Sequence, residues 1–107
     1  RAPSSEQPLD LLTCGPLTFD PIDDGAFRCY AIARQCAAAG GTACAIMNAA
    51  NEEAVWAFLR GETGFNGIHR TVEAALERVA VKYQPSLADI LEADRLARAA
   101  ARAVLTR

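Results

Sequence analysis

Residues 46–59 constrain the fold most: an apolar, helix-forming run interrupted by Asn48, Asn51, Glu52 and Glu53. Ile46, Ala50, Ala54 and Phe58, with Met47, Val55 and Leu59 beside them, recur at helical spacing. Positions 48, 51 and 52 stand at i, i+3 and i+4, so they form one polar patch on one helix face. A buried amide without a partner costs about 1–3 kcal/mol. The patch is therefore expected to hydrogen-bond backbone, either from the N-terminal arm or from a neighbouring domain. On that reading Asn51→Leu strands its partners and destabilises the fold by about 1–3 kcal/mol.

The rest of the chain punctuates itself into helices. The first is expected over residues 26–39, stopped by Gly40 and Gly41, with Phe27, Tyr30, Ala31, Ala33 or Arg34, and Ala37 or Ala38 inward. Thr42 is placed to cap the second, which runs to Arg60 and ends at Gly61. Asn66 is placed to cap the third, through about Ala80, with Ile68, Val72, Ala75, Leu76 and Val79 as its stripe. Pro85 and Ser86 open the fourth, where Asp89 completes a capping box with Asp in the usual Glu position. Leu87, Ile90, Leu91, Leu96, Ala97, Ala100, Val104 and Leu105 follow at helical spacing. Residues 1–24 hold four of the five prolines and keep no helical period. They read as an extended arm anchored by Leu9, Leu11, Leu12, Leu17 and Phe19, with a short strand at residues 17–19. The fold class is all-α: a four-helix bundle over residues 25–107 preceded by this arm.

Composition sets the outer limits. The 107 residues amount to about one domain. The net charge of −2, with acids and bases interspersed, argues against a nucleic-acid or anionic-membrane surface. No apolar run approaches the ~20 residues of a membrane span. Beginning Arg1-Ala2-Pro3 without an initiator methionine, the chain reads as a fragment of a longer protein. Cys14, Cys29, Cys36 and Cys44 lack zinc-knuckle spacing, and the single histidine, His69, lies far along the chain. They read as small apolar residues in a reducing, cytoplasmic compartment, with Cys29 and Cys36 seven apart on one core-facing side.

Other features read as structural. Arg95, Arg98 and Arg102 form an i, i+3, i+7 row that suits a solvated helix face better than a phosphate clamp. Asn48, Asn51, Glu52 and Glu53 could supply a general base or metal ligands only with more carboxylates, the nearest being Asp20, Asp23 and Asp24 of the arm. His69 has Glu73 at i+4 as a surface partner, and pairing it with a cysteine nucleophile has no support in spacing. Trp56 is an anchor or a core residue. Gly40 and Gly41 follow a helix rather than a strand, the wrong context for a dinucleotide fingerprint.

One order of motifs runs through these elements: Leu17-Thr18-Phe19-Asp20-Pro21, Phe27-Arg28-Cys29-Tyr30 with Ala33, Gly40-Gly41-Thr42, Asn48-Ala49-Ala50-Asn51-Glu52, Ala57-Phe58-Leu59, Phe65, Ile68, Leu91 and Asp94. In this the chain resembles the C-terminal portion, linker plus helical domain, of the 1-deoxy-D-xylulose 5-phosphate reductoisomerase family, from about Leu9 to Arg102. The resemblance implies a parent enzyme of isoprenoid precursor synthesis that uses NADPH and Mg2+ or Mn2+ and forms a homodimer. The nucleotide-binding and catalytic domains of the same parent chain are then this segment's partners. No catalytic, cofactor-binding or metal residue of the family maps onto any position here, so the segment is expected to be structural and inactive alone. Arg28 stands where the family usually has proline, and Glu53 where it usually has a small or apolar residue. The competing reading is a free-standing helical interaction module docking through Trp56 and the Leu-rich arm; a thiol-dependent enzyme is more remote.

Overall fold

A computed structural model describes Glu6 and residues 9–106. Four helices follow one another: α1 (Arg28–Ala39), α2 (Ala43–Leu59), α3 (Phe65–Arg78) and α4 (Leu87–Leu105), with no strand among the described residues. The all-α bundle expected from the periodicity is what forms. The element α2 lies at its centre, touching the other three helices, while α1 packs on α2 and α3 and makes no contact with α4.

The core is built largely from alanine. Ala43, Ile46, Ala49, Ala50, Ala54 and Ala57 are buried along α2, and Ala93, Ala97 and Ala101 along α4. Side chains this small let two helix backbones approach closely, so volume is filled by backbone as much as by side chain. Ile32 and Cys36 of α1 and Val72 and Ala75 of α3 complete one cluster with Ala43, Ala50 and Ala101. Ile46, Ala49, Val79, Ala93 and Ala97 form the second.

The expected inward faces need correction in two helices. In α1 the buried residues are Ala31, Ile32 and Cys36, whereas Phe27, Tyr30, Ala37 and Ala38 are exposed. In α4 Ala93, Ala97 and Ala101 are buried and Ala100 packs against them, so Ala97 and Ala100 lie inward as expected, whereas Leu87, Ile90, Leu91 and Leu96 lie outward. In α1 Ala31 lies inward as expected, with Ile32 and Cys36 beside it; in α4 large side chains drew the assignment, but the close approach of α2 favours alanine there. The stripe of α3 is as expected, with Ile68, Val72, Ala75 and Val79 buried and Leu76 packed against both clusters.

Helix ends also differ from the capping signals. Asp23 Oδ1 accepts from the backbone N–H of Gly25 and of Ala26, at 2.9 and 3.0 Å, and holds a turn that delays α1 until Arg28. Thr42 stands at the N-cap of α2 as expected, but its side chain makes no capping bond; its buried hydroxyl accepts from Lys82 N–H at 3.0 Å, while its own N–H donates to Lys82 C=O at 3.0 Å. This two-bond clamp ties the α1–α2 turn to the segment before α4. Gly41, at φ +60°, is required beside it, because a Cβ there would lie 2.5 Å from the Lys82 carbonyl oxygen. Asn66 does not cap α3 either: the N-cap is Gly64 and Asn66 lies inside the helix. The Ser86–Asp89 capping box forms as expected, Asp89 N–H donating to Ser86 Oγ at 3.2 Å and Ser86 N–H to Asp89 Oδ2 at 2.9 Å.

Residues 9–24 of the arm are exposed along their length, and residues 1–5, 7 and 8 of the expected arm lie outside the described residues. Leu9, Leu11, Leu12, Leu17 and Phe19, read as its anchors, are 62–95% exposed, and residues 17–19 pair with no strand. Within the described arm, the order comes from local turns, such as the Asp10 carbonyl accepting from Thr13 and Cys14 N–H.

Candidate functional site

Two places gather the polar residues singled out in the sequence. The first is the seam between α2 and α4. Asn48 Nδ2 donates to Glu52 Oε1 at 3.2 Å, and Glu52 Oε2 accepts from Arg98 at 2.7 Å. Arg98 also meets Asp94 at 2.9 and 3.2 Å and Glu53 at 3.5 Å. Arg102 grips Glu53 bidentately at 2.9 and 2.7 Å, the planar fork matching the carboxylate. Arg95 pairs with Glu92 at 2.8 and 2.6 Å. The arginine row is therefore neither a clamp for phosphate nor a free solvated face; two of its three members tie α4 to α2. The Arg102 hydrogen bond, with help from Arg98, holds the Glu53 carboxyl below its ordinary range despite partial burial. Glu53 thus has a structural partner.

Arg28 forms a further cross-helix pair. Its Nε lies 2.6 Å from Glu73 Oε1, joining the start of α1 to α3. Proline at this first helical position would fit the backbone but could not make the bond. The Arg28 hydrogen bond lowers the Glu73 pKa, and His69 Nδ1 sits 3.5 Å from the other Glu73 oxygen.

The second place is a cleft of about 420 Å³ where the Asp23 turn and α1 meet α2 and α3. Phe27, Tyr30, Val55 and Phe65 give it apolar walls, and Asn51 and His69 contribute polar groups. Phe65 meets Phe58 edge-on, with ring centroids 5.9 Å apart. His69 Nδ1 is closed to solvent yet makes no hydrogen bond of acceptable geometry. The Asn51 amide has no side-chain hydrogen bond among the described residues, so the expected bonding of this residue to arm backbone is not made. Asn48 and Glu52 turn to α4 while Asn51, on the same helix, opens onto the cleft. The polar patch is split between two neighbours. A smaller hollow of about 350 Å³ lies between Thr42, Arg78, Lys82 and α4.

Neither place fits a divalent ion. Glu52, Glu53, Glu73, Asp89, Glu92 and Asp94 are each committed to a basic side chain. No group of three or more His, Cys, Asp or Glu able to hold a metal occurs among the described residues. Gly40 and Gly41 close a helix and connect to no strand, so no phosphate cradle arises there. The cysteines also depart from expectation: Cys36 alone is buried, whereas Cys14, Cys29 and Cys44 are exposed, and all four are free thiols. Burial is the main cause raising the Cys29 and Cys36 thiol pKa, so neither is an activated nucleophile. Trp56 lies at the surface, 59% exposed. Among the described residues no helix is long and apolar enough to cross a membrane. The cleft was not legible beforehand, because it depends on the Asp23 turn holding Phe27 outside the core.

Comparison with known proteins gives this geometry its context. The sequence model for the DXP reductoisomerase C-terminal domain matches residues 1–100. The 1-deoxy-D-xylulose 5-phosphate reductoisomerase of Geobacillus kaustophilus is 43% identical over 102 residues, covering 95% of this chain and 27% of that protein. That of Symbiobacterium thermophilum is 47% identical over 96 residues, covering 90% and 25%. That of Pseudomonas paraeruginosa is 45% identical over the full 107 residues and 27% of its own length. The chain thus spans about a quarter of the curated relatives it matches.

Proposed function

This chain belongs to the DXP reductoisomerase C-terminal domain family, and from that premise we propose that it is the helical support domain of an NADPH- and Mg2+- or Mn2+-dependent 1-deoxy-D-xylulose 5-phosphate reductoisomerase. The parent rearranges and reduces its sugar phosphate to 2-C-methyl-D-erythritol 4-phosphate for isoprenoid synthesis. It works in the cytoplasm as a homodimer, where the four free thiols stay reduced. The nucleotide and metal are held by the nucleotide-binding and catalytic domains, and this segment braces them. The match over residues 1–100 carries the proposal. The commitment of the carboxylates to arginine and lysine supports the division of labour.

The test has two arms. Calorimetric titration of the 107-residue chain with NADPH and with Mn2+ at millimolar concentration is expected to give no saturable heat and no turnover. Saturable Mn2+ binding lost on Glu52→Ala would overturn the inactive-support role. The full-length protein carrying this chain is expected to oxidise NADPH with the sugar phosphate, and failure to do so under reducing conditions with Mn2+ would overturn the enzymatic reading.

A further inference from the structure

We propose that Asn66, which precedes Gly67 at the start of α3, is a site of spontaneous deamidation in the folded protein, and that opening of the first turn of α3 sets its rate. The product is an aspartate or isoaspartate at position 66, which places a negative charge on the rim of the cleft beside α1.

The reaction is intramolecular. The backbone nitrogen of Gly67 attacks the side-chain amide carbon of Asn66, a carbon–nitrogen bond forms, and ammonia leaves with the proton that the backbone nitrogen gives up. Water then opens the resulting succinimide at one of its two carbonyls, giving aspartate or isoaspartate, and nothing is oxidised or reduced. A following glycine favours the attack, because no side chain shields the nitrogen and the backbone turns freely. Asn66 alone of the three asparagines has one: Asn48 precedes Ala49 and Asn51 precedes Glu52, both inside α2.

The structure adds access, a gate and a place for the product. Asn66 is exposed, and Phe65 before it is 73% exposed, so packing does little to hold this turn. The N-cap, Gly64, makes no side-chain capping bond, and the Gly67 N–H donates to the Gly64 C=O at 2.8 Å. Helices fray from such ends. While the turn is closed, that N–H is engaged and the helical backbone keeps the nitrogen away from the side-chain carbon; opening removes both restraints. The product carboxylate is then well placed. It lies in the first helical turn, where negative charge is favoured, and four residues before Arg70, which is exposed and forms no ion pair among the described residues.

The full-length protein carrying this chain is incubated in mildly alkaline buffer, and the digested peptide holding Asn66 is followed by mass spectrometry. A synthetic peptide of the same residues is the open reference. Asn66 is expected to convert on the order of tenfold more slowly than in that peptide, the delay of a turn that opens locally, with Asn48 and Asn51 unconverted. Gly64→Ser supplies the missing cap. Residue 64 has φ −80° and ψ 167°, and a Cβ there meets nothing within 4 Å. A serine hydroxyl at the N-cap accepts from the third helical N–H, which is that of Gly67, so this variant is expected to convert on the order of fivefold more slowly than the unaltered protein. Gly67 is left in place, because a Cβ there would strike the Thr63 side chain. Circular dichroism verifies that the bundle persists. An Asn66 still intact after the synthetic peptide has converted would overturn the proposal. An undiminished rate in Gly64→Ser would remove the first turn as the gate and overturn it as well. Conversion of Asn48 or Asn51 at the rate of Asn66 would also overturn it, assigning the reaction to global unfolding.

Discussion

At the scale of single residues, the bundle depends on a few groups with two duties. Thr42 is the clearest: it looks like a helix cap in sequence and serves as the acceptor for Lys82 N–H. Thr42→Val keeps the shape and removes that acceptor, so it is expected to cost about 1–3 kcal/mol in urea unfolding, the penalty of a stranded donor. A loss confined to a few tenths would mean that water replaces the hydroxyl. Asn51 behaves in the opposite way. Having no bond within the bundle, it is expected to tolerate Asn51→Leu in this chain within about 0.5 kcal/mol, the range of uninvolved positions. A larger loss would restore the role in backbone bonding first read from the sequence. Asp89 sets an acid limit. Hydrogen bonds from Lys82 and Ser86 lower its pKa from 3.8 to about 2. A depressed carboxylate pKa contributes stability that is present above the unfolded value and lost as pH falls through the folded one. Acid titration of stability is therefore expected to show a component between about pH 4 and pH 2 that Asp89→Asn removes, and an unchanged profile in that variant would place the acid sensitivity elsewhere.

Between elements, the contact of α2 with α4 combines an alanine interface and a rim of ion pairs. Ala97 is fully buried in the cluster with Ile46 and Ala49. Ala97→Leu is expected to cost about 1–3 kcal/mol, because added methylenes must push the helices apart. An unchanged urea midpoint would show that the interface has slack. The rim contributes less. Glu53 and Arg102 are bidentate at 2.9 and 2.7 Å, but the arginine side chain is 64% exposed. A double-mutant cycle on the two is expected to give a coupling of about 0.5–1 kcal/mol, falling in molar salt. The same elements show how far patterning carries. The capping box of α4 and the stripe of α3 are local signals and both appear in place. The faces of α1 and α4 were legible in part: Ala31, Ala97 and Ala100 lie inward as expected, but Phe27, Leu87 and Leu91 lie outward, because hydrophobicity ranks Leu and Phe above Ala while the close contact of α2 with α4 favours Ala.

At the scale of the whole molecule, the arm and the bundle differ in what holds them. Described arm residues 9–22 keep their side chains exposed, whereas α2 is enclosed by three helices. Hydrogen exchange is expected to be fast throughout residues 9–22 and slow in the middle of α2, and arm amides as protected as those of α2 would show that the arm belongs to the bundle. The sequence by itself determined the number and order of the helices, their stops at Gly40 and Gly61, and the family. Those properties rest on periodicity, backbone freedom and ordered motifs, all local along the chain. Only the tertiary structure decided which faces turn inward, that Thr42 clamps Lys82, that Arg98 and Arg102 meet Glu52 and Glu53, and that Asn51 opens onto a cleft. Each of these joins residues 40 or more positions apart or depends on how closely two helices approach. Such distances are fixed by the packing of all four helices at once, and no single segment contains them.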